Sequence, residues 1–338
     1  MRVIVGMSGG VDSSVAAYLL KEQGHEVIGV TMDNGIFSSG DAVLVCNHLG
    51  IRHETIDFSK EFKEKVIDNF VSEYRSGRTP NPCVVCNPGV KWASLCKCAE
   101  HYGANMVATG HYASIAKNED GRYSIKQSQS KKDQSYALYR LTQEQLAMTV
   151  FPLGELSKDE VRYIARAANI PVADKPDSQE ICFVSDDDHT RYIEEYTGVK
   201  ECEGNFEDKD GNVLGVHRGI SRYTIGQRKG LGISAEKRIF VTNIDPENNR
   251  VILGDNEELF KDEFLCTNIS YMGKASVEER TEVYAKIRYN HLPAKAYIEP
   301  AGDDIIRCVF CEKQRAITPG QSAVFYINGE IALGGFIK

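Results

Sequence analysis

The chain has 338 residues, of which 42% are hydrophobic and 26% are charged, and its formal net charge at pH 7 is −8. This length predicts about two or three domains, and the composition is that of ordinary globular proteins. The sequence has no apolar run of about 18 residues, which excludes a membrane-spanning helix, and the acidic balance taken alone argues against a nucleic-acid partner.

The N-terminus leads directly into an apolar strand without the apolar segment of a signal peptide, so we expect a cytoplasmic protein. Thiols stay reduced in that compartment. The ten cysteines are therefore expected to be mostly free, and any functional ones to be catalytic, redox-active or metal-binding rather than structural disulfides.

Strands and helices alternate through the first half of the chain. After the first apolar run, strands are predicted at 27–32, 52–57 and 105–109, and helices at 15–20, 41–49, 60–76 and 91–102. A short strand is predicted at 123–127, and residues 157–160 have the pattern of a capping box that opens a helix to residue 168. This rhythm is typical of an α/β protein with a doubly wound, mostly parallel sheet.

The pattern changes from about residue 201 to short strands separated by turn signals at 208–211 and 246–249. Beyond about residue 264, strands predicted at 283–289, 296–299, 305–311, 322–327 and 330–333 favour an antiparallel barrel or sandwich. We therefore expect an α/β domain at 1–200, a small central β-rich domain at 201–265 and a C-terminal antiparallel β-barrel at 266–338.

Charge is distributed unevenly around this change of pattern. Residues 177–211 are strongly acidic, whereas 213–240 contain Arg218, Arg222, Arg228, Lys229, Lys237 and Arg238 against Glu236 alone. A basic face on an acidic protein is able to contact phosphate while the remaining surface repels wrong partners. The alternative is a solvated surface loop.

The first strand and helix enclose the glycine-rich turn Gly6-Met7-Ser8-Gly9-Gly10-Val11-Asp12-Ser13. Adjacent glycines let the backbone approach an anion, and the N-terminus of the following helix presents unpaired N–H groups to it. No Gly-Lys-Ser/Thr follows, so the turn is not a Walker P-loop. It resembles the pyrophosphate loop of ATP pyrophosphatases, which implies that these residues bind ATP. The alternative is an ordinary strand–turn–helix corner with Asp12 as an N-terminal charge.

Two further positions are expected beside a nucleotide. Gly110 follows the apolar strand 105–109, and Met32 ends the second strand. Ligands of open α/β sheets lie at the carboxyl ends of the strands. We therefore expect Gly110 to face the nucleotide and Met32 to meet adenine through its backbone, with core packing as the alternative for Met32.

The densest group of chemically reactive residues is Thr79-Pro80-Asn81-Pro82-Cys83-Val84-Val85-Cys86-Asn87. Prolines ahead of the Cys-x-x-Cys pair predict a rigid, exposed loop, which is a poor environment for an inert thiol. Cys182, within 175–183, is a third candidate. Either segment taken alone is weak evidence for sulfur chemistry.

Six separated motifs strengthen this interpretation. They are Asn-Pro-x-x-x-Cys-Asn at 81–87, Ala-Thr-Gly-His-Tyr at 108–112, Lys-Asp-Gln-Ser-Tyr at 132–136, Asp-Ser-x-x-Ile-Cys-Phe at 177–183, Tyr-Thr-Ile-Gly-Gln-Arg-Lys-Gly-Leu-Gly at 223–232 and Pro-Gly-Gln-Ser-Ala-Val-Phe-Tyr at 319–326. In this order the motifs resemble those of the bacterial tRNA-specific 2-thiouridylase family, and the resemblance covers nearly the whole chain.

The resemblance implies an ATP-dependent enzyme that 2-thiolates the wobble uridine of tRNA. ATP, with Mg²⁺ bridging its phosphates and Asp12 as a candidate ligand, would adenylate the C2 oxygen and release pyrophosphate. A cysteine persulfide would then supply sulfur, with Cys86 as the nucleophile and Cys182 as the persulfide carrier. This pair would close as a disulfide when sulfur is released. A thiol of low pKa suits the role because the thiolate is the nucleophile.

The resemblance also implies tRNA as a partner, a sulfur-donor protein or inorganic sulfide as the sulfur source, and neither DNA nor a membrane. The expected tRNA contacts are Asn81, Pro82, Cys83, His111, Lys132, Asp133, Gln134, Arg288, Tyr289 and Gln321. Arg288 and Tyr289 combine a phosphate binder with a stacking ring, and a flipped single-stranded uridine suits this chemistry. The alternatives are a local hydrogen bond for His111 and a solvated turn for 132–134.

Cys83 departs from the family pattern, in which many members have Asp at this position. Cys83, Cys86 and Cys182 match three ligands of a [4Fe–4S] cluster whose fourth iron would bind sulfide, and this mechanism needs no persulfide. Alternatively, Cys83 merely fills the site. The sequence also leaves open an amide-forming ligase on the same ATP loop and a non-catalytic RNA-binding paralogue.

Overall fold

The computed structural model describes residues 1–35, 39–128, 130–177, 181–184, 186, 188–234 and 237–338. The helices are α1 Val11–Glu22, α2 Gly40–Leu49, α3 Ser59–Phe62, α4 Asp68–Arg75, α5 Pro82–Cys86, α6 Ala93–Tyr102, α7 Gln143–Ala147, α8 Lys158–Ala167 and α9 His189–Thr197. The π-helical turns Lys63–Ile67 and Asn87–Trp92 join α3 to α4 and α5 to α6. No helix within these residues is both long enough and apolar enough to cross a membrane.

The strands in the same residues are β1 Arg2–Gly6, β2 Glu26–Asp33, β3 Arg52–Asp57, β4 Met106–Ala108, β5 Ser114–Lys117, β6 Tyr123–Lys126, β7 Thr149–Val150, β8 Gly204–Glu207, β9 Val213–His217, β10 Phe240–Asp245, β11 Arg250–Gly254, β12 Phe260–Tyr271, β13 Thr281–Lys286, β14 Ala294–Gly302, β15 Ile305–Arg315, β16 Ser322–Ile327 and β17 Glu330–Ile337. They form three sheets in the described chain.

The first sheet is parallel, with its strands in the order β3-β2-β1-β4-β7. Alternate residues of a strand point to opposite faces. Val3 and Val5 accordingly pack in a core cluster with α1, α2 and α8, whereas Ile4 packs in a cluster with α6. Helices on both faces of a parallel sheet confirm the predicted doubly wound α/β fold. The predicted capping box is also confirmed, since at the start of α8 the Ser157 hydroxyl accepts a hydrogen bond from the Glu160 N–H and the Glu160 carboxylate accepts one from the Ser157 N–H.

The loop predicted around the two cysteines is wrong from Pro82 onward, because α5 begins there. The Asn81 side chain caps the helix by accepting a hydrogen bond from the Cys83 N–H at 3.1 Å. Pro82 suits the first helical position, where its φ is already helical and its missing N–H has no partner to lose. The helical backbone continues through the π turn into α6. Cys83 and Cys86 (i, i+3) therefore share one face of the first turn.

The second sheet lies in the central segment, with the order β10-β11-β8-β9. Its pairs are antiparallel apart from β11 and β8, which run parallel. Phe206, Val241 and Val251 are fully buried between it and the segment around Tyr223. This segment has its own small hydrophobic core.

The third sheet confirms the predicted C-terminal barrel. Strands β12-β15-β14-β13-β16-β17 close on themselves because β17 also pairs with β12. Closure leaves these barrel strands without the free edges that promote aggregation. Strand β12 begins at Phe260, so the domain boundary that we predict at 265/266 falls inside this strand.

The α/β domain and the barrel are joined by a hairpin whose second strand, β6, confirms the strand predicted at 123–127, whereas its first strand and its pairing with the barrel were not predicted. Strands β5 and β6 extend the barrel sheet, since Lys126 pairs with Glu330 at the start of β17. Val324 and Tyr326 of the barrel belong to the same hydrophobic cluster as Ile4 of β1. The two units therefore share one continuous core.

Candidate active site

The glycine-rich turn lies between β1 and α1, at the carboxyl edge of the parallel sheet. The Ser13 hydroxyl closes this turn by accepting a hydrogen bond from the Ser8 N–H and donating to the Gly10 carbonyl oxygen, each at 3.2 Å. Gly9 has a φ of +71°, and a Cβ there would lie 2.9 Å from the Asp41 Cβ, so glycine is needed. The first N–H groups of α1 face the turn, which is an arrangement that binds phosphate.

Gly110 lies against the beginning of α1, as the sequence predicts for a residue at the end of β4. A Cβ at Gly110 would lie 2.6 Å from both the Asp12 carbonyl carbon and the Ser13 nitrogen. Met32 is near the end of β2 at the same edge of the sheet and is partly buried against core residues. The structure thus brings Gly110 to the glycine-rich turn and gives Met32 both a core contact and a position at the ligand-binding edge.

A charged group that the sequence analysis did not single out surrounds Asp12. The Asp12 carboxylate accepts hydrogen bonds from the Tyr112 hydroxyl at 2.7 Å and the Lys158 ammonium at 2.6 Å. Lys158 also pairs with Asp177 at 2.7 Å. The capping box predicts that Lys158 opens a helix, but no local signal shows that α8 packs beside α1. Cations beside an anion-binding turn favour a phosphate ligand.

Cys83, Cys86 and Cys182 are brought near one another. Every cysteine is a free thiol in the described chain; Cys83 and Cys182 are exposed as residues and Cys86 is half-buried. Protein atoms packed around the sulfurs nevertheless raise the pKa of Cys86 to about 11 and that of Cys182 to about 12, and Cys83 adds to both shifts. These thiols are therefore mostly protonated at pH 7, in contrast to the low-pKa thiol expected for sulfur transfer.

Lys91 is a cation beside this thiol group that the sequence analysis missed. It lies in the π-helical turn that follows Cys86, and its ammonium donates to the Asn87 side-chain oxygen at 3.0 Å. Burial raises the pKa of each of the three thiols, and the positive charge of Lys91 lowers it in part. A π-helical turn inside a helix frequently marks a functional site, but no sequence signal distinguishes it from regular helix.

No group of three or more His, Cys, Asp or Glu side chains in the described chain is arranged to hold a metal ion. That arrangement is the one a single ion needs, whereas the cysteines of a [4Fe–4S] cluster bind separate iron atoms, so the cluster stays an alternative prediction. Ser178, which belongs to the motif at 177–183, lies outside the described residues.

The turn 132–134 is held by hydrogen bonds rather than being freely solvated. The Gln134 side-chain oxygen accepts from the Tyr112 N–H at 3.0 Å, and the Asp133 carboxylate accepts from the Ser135 hydroxyl at 2.8 Å. The Lys132 ammonium pairs with Asp177. These contacts connect the turn to the charged group around Asp12.

His111 has the local hydrogen bond that the sequence analysis gave as its alternative role. Its Nδ1 lies 2.8 Å from the Thr109 hydroxyl, and its ring centroid lies 5.6 Å from that of Trp92. Burial, followed by the charge of Lys91, lowers the pKa of His111 well below its usual value of 6.5. The imidazole is therefore neutral at pH 7.

Arg288, Tyr289 and Gln321 lie where the barrel meets the other segments. Strand β13 ends at Lys286, so the strand predicted over 283–289 is too long and both Arg288 and Tyr289 lie in the following turn. Arg288 donates to backbone carbonyl oxygens of the central segment and the barrel, and Gln321 donates to the Thr79 carbonyl oxygen at 2.8 Å. The Tyr289 ring remains 39% exposed.

Comparison with known proteins gives full-length matches. Family profiles described as "tRNA methyl transferase HUP domain", "tRNA methyl transferase PRC-barrel domain" and "Aminomethyltransferase beta-barrel domain" match residues 1–186, 190–255 and 261–337. The chain is 50% identical to the tRNA-specific 2-thiouridylase MnmA of Lachnoclostridium phytofermentans, over 99% of this chain and 98% of that protein. It is 51% identical to the protein of the same name from Clostridioides difficile, over 99% and 97%.

Among solved structures, the chain has a weaker likeness to a 4-thiouridine synthetase in complex with RNA and bound ATP. The TM-score is 0.36 and the sequence identity is 19%, over 54% of this chain and 44% of that chain.

Proposed function

The chain belongs to the tRNA-specific 2-thiouridylase family, and from this premise we propose that it replaces the C2 oxygen of the wobble uridine of tRNA with sulfur in an ATP-dependent reaction. One observation carries the proposal. The thiols of Cys83, Cys86 and Cys182 lie close enough for their charges to interact, and they belong to the domain that holds the glycine-rich turn. An ATP-binding turn together with clustered thiols fits sulfur transfer to an activated carbonyl.

ATP binds at Gly6–Ser13, with Met32 and Gly110 beside it. The C2 oxygen attacks the α-phosphorus of ATP, and the bond from this phosphorus to pyrophosphate breaks. Asp12 would contribute a carboxylate ligand to Mg²⁺, which suits hard oxygen donors and supplies positive charge to the leaving pyrophosphate. The N–H groups of α1 and the Lys158 ammonium stabilise the same negative charge.

Cys182 carries the sulfur as a persulfide. Its terminal sulfur attacks C2, the bond from C2 to the adenylate oxygen breaks, and AMP leaves. The Cys86 thiolate then attacks the Cys182 sulfur, which releases 2-thiouridine and leaves a Cys86–Cys182 disulfide. Two equivalents of an external thiol reduce this disulfide, and a persulfide on a sulfur-donor protein then transfers its outer sulfur to the Cys182 thiolate. Inorganic sulfide reloads Cys182 by another step: it attacks the Cys182 sulfur of the disulfide itself, which forms the Cys182 persulfide and releases the Cys86 thiolate. Lys91 favours the thiolate forms that these steps need.

The tRNA is bound by residues near this thiol group and by the two β-rich parts of the chain. Tyr289 offers an exposed ring for stacking, and burial together with Asp133 and Cys83 raises its pKa, which keeps the phenol neutral. The proposed contacts from the α/β domain are Asn81, Pro82, Cys83, His111, Lys132, Asp133 and Gln134, and those from the barrel part are Arg288, Tyr289 and Gln321.

The domain division at 1–200, 201–265 and 266–338 stays a prediction.

The proposal is tested by purifying the protein anaerobically, measuring iron and acid-labile sulfide, and assaying 2-thiouridine formation with tRNA, ATP and a sulfur source. We expect activity without iron that is lost in Cys86→Ser and Cys182→Ser and kept in Cys83→Ser. Cys311→Ser is the matched control, because Cys311 is an exposed thiol on the barrel. Iron near four atoms per chain, lost with activity in Cys83→Ser, would instead establish the cluster mechanism.

The remaining outcomes separate the other two candidates. A ligase on the same ATP loop would release pyrophosphate and stay active in Cys86→Ser, because its attacking group is ammonia. A non-catalytic paralogue would bind tRNA without releasing pyrophosphate. Either result, in the absence of 2-thiouridine, would overturn the thiolation proposal.

A further inference from the structure

Lys286, at the end of β13, is a buried cation beside the proposed tRNA contacts. Its side chain is 9% exposed, and its ammonium lies 3.8 Å from a carboxylate oxygen of Asp133, which is longer than a direct hydrogen bond. Burial lowers the pKa of Lys286 and Asp133 raises it in part, so the carboxylate helps to keep the ammonium charged. Because a buried charge is costly unless it is compensated, this one ion pair calls for further partners.

Two tyrosine rings supply these partners. The Lys286 ammonium lies 5.6 Å from the ring centroid of Tyr289 and 5.8 Å from that of Tyr136, which is within the range of a cation–π contact. The two rings also meet edge to face, with their centroids 6.2 Å apart. Tyr136 is itself fixed, since it is fully buried and its hydroxyl donates to the Ser322 carbonyl oxygen at 2.8 Å. Lys286 and Tyr136 together therefore restrict the Tyr289 ring.

Asp133 anchors the Lys286 ammonium without depending on it. The Asp133 carboxylate accepts hydrogen bonds from the Ser128 N–H at 2.9 Å and from the Ser135 hydroxyl at 2.8 Å. Both bonds remain when Lys286 is replaced, so the turn that contains Asp133 keeps its place. Loss of the ammonium is therefore felt mainly at the Tyr289 ring.

Tyr289 is the exposed member of this group. It is 39% exposed, whereas Lys286 and Tyr136 are buried. The charge of Cys83 contributes to the raised pKa of Tyr289, which places the phenol near the thiol group. A base that stacks on this ring would lie close to the site of sulfur transfer. Stacking on a ring that is already held in place costs less entropy than stacking on a mobile one.

We propose that Lys286 is a positioning residue that holds the Tyr289 ring in place for stacking with an unpaired base of tRNA. The inference rests on the proposed function, in which the chain binds tRNA, and it adds a residue that acts through Tyr289 without touching the RNA. Lys286 thereby tightens tRNA binding although its ammonium makes no contact with a phosphate.

The first test observes the Tyr289 ring in the absence of tRNA. The full-length protein is produced with ring-fluorinated tyrosine, and the fluorine NMR resonance of Tyr289 is identified by its loss in Tyr289→Phe. Lys286→Met is expected to narrow this resonance, because the ring becomes more mobile. Lys295→Met is the matched control, since Lys295 lies on the neighbouring strand β14 and forms an exposed pair with Glu282 at 3.0 Å.

An unchanged line width in Lys286→Met would overturn the inference. The remaining tyrosine resonances show whether the variant is folded. Lys286→Gln, which also lacks the charge, is the second variant and is expected to narrow the Tyr289 resonance in the same way.

The second test measures binding of unmodified tRNA by fluorescence anisotropy over a range of salt concentrations. Lys286→Met is expected to bind about tenfold more weakly, as for the loss of a buried cation–π contact. The dependence of affinity on salt is expected to stay that of the wild type. A residue that contacts phosphate contributes about 0.7 to 0.9 to the slope of log affinity against log salt concentration. A slope reduced by that amount in Lys286→Met would show a phosphate contact and overturn the positioning role.

A double-mutant cycle separates positioning from a general effect on folding. In Tyr289→Leu, the addition of Lys286→Met is expected to weaken tRNA binding further by about twofold or less, because the ring that Lys286 positions is absent. A full further loss of about tenfold would show that Lys286 acts elsewhere and would overturn the inference. Wild-type protein that binds no tRNA would remove the proposed function, whereas the line width of Tyr289 would still decide whether Lys286 positions the ring.

Discussion

The guanidinium of Arg288 donates a hydrogen bond to the carbonyl oxygen of Ile225 at 3.1 Å, and so connects the barrel to the central segment. The same Nη2 donates to the carbonyl oxygen of Ala316 at 2.7 Å and contacts the Thr318 hydroxyl. Burial lowers the pKa of Arg288, but the group stays charged at any pH in normal use. One side chain therefore satisfies backbone acceptors from two units.

Arg288→Met is expected to destabilise the protein by about 2 kcal/mol, because buried carbonyl groups lose a charged donor. The measurement is the denaturant midpoint of the protein without tRNA, which reports stability apart from any phosphate contact. Arg307→Met is the control: Arg307 pairs with Glu263 and Glu299 on the exposed face of the barrel, where solvent screens ion pairs and they contribute little to stability. Equal midpoints for both variants would contradict the bridging role.

Asn81 sets the start of the helix that carries two of the three thiols. Asn81→Ala removes the cap on the Cys83 N–H and is expected to cost about 1 kcal/mol of helix stability. Because the first turn then frays, we expect the kcat of thiolation to fall while ATP binding is unchanged. Asn81→Ser restores a capping oxygen and should recover most of the activity. A kcat for Asn81→Ala equal to that of the wild type would argue against this role of the cap.

Gly110, like Gly9, has surroundings that leave no room for a side chain. Gly110→Ala places a Cβ against the backbone of Asp12 and Ser13, which has no flexible end to move aside. The turn must shift, and a displacement of about 1 Å costs roughly 100-fold in rate. We therefore expect Gly110→Ala to remain folded with a lowered melting temperature and to lose nucleotide binding and pyrophosphate release, measured below that temperature. Gly215→Ala is the control, because its nearest neighbour, Ile233, lies at an ordinary 3.5 Å.

The sequence predicted those parts of the fold that are local. Alternation of apolar runs and helical patterns led to the parallel sheet, and the capping box at Ser157 located the start of α8. The start of α5 was missed because prolines were interpreted as loop formers, although Asn followed by Pro is also an N-cap signal that points to a helix. The pairing of Lys126 with Glu330 could not be predicted, since it joins residues far apart in the chain.

The sequence predicted those residues of the candidate site that belong to recognisable motifs. It missed the contacts that arise only when separate helices pack together. The glycine-rich turn, Gly110 and the cysteines were found from residue type and spacing. Lys158 and Asp177 meet because α8 packs beside α1, and no local pattern encodes that contact. The raised pKa values of the thiols arise from burial in the folded chain, so the sequence could suggest reactive cysteines but not their protonation.

The buried His217 makes the central segment sensitive to acid. Its Nδ1 accepts a hydrogen bond from the Gly219 N–H at 3.1 Å, so the neutral ring donates from Nε2 to the Asn249 carbonyl oxygen at 3.1 Å. Protonation at Nδ1 would turn this acceptor into a donor facing the Gly219 N–H. Burial lowers the pKa of His217 below 6.5, against smaller opposing effects of Asn249 and Glu201.

Because the folded pKa lies below the unfolded value near 6.5, the unfolded chain binds the proton more readily. The stability that neutral His217 contributes is fully present above pH 6.5 and is lost as the pH falls towards the folded pKa. Each unit of pKa difference corresponds to about 1.4 kcal/mol.

We expect the melting temperature of the wild type to fall between pH 7.5 and 5.5. The fall should be smaller in His217→Gln, whose amide keeps one donor and one acceptor without titrating. An equal fall in both proteins would show that other groups, among them His53, His111 and His291, whose pKa values are also lowered, dominate the acid response.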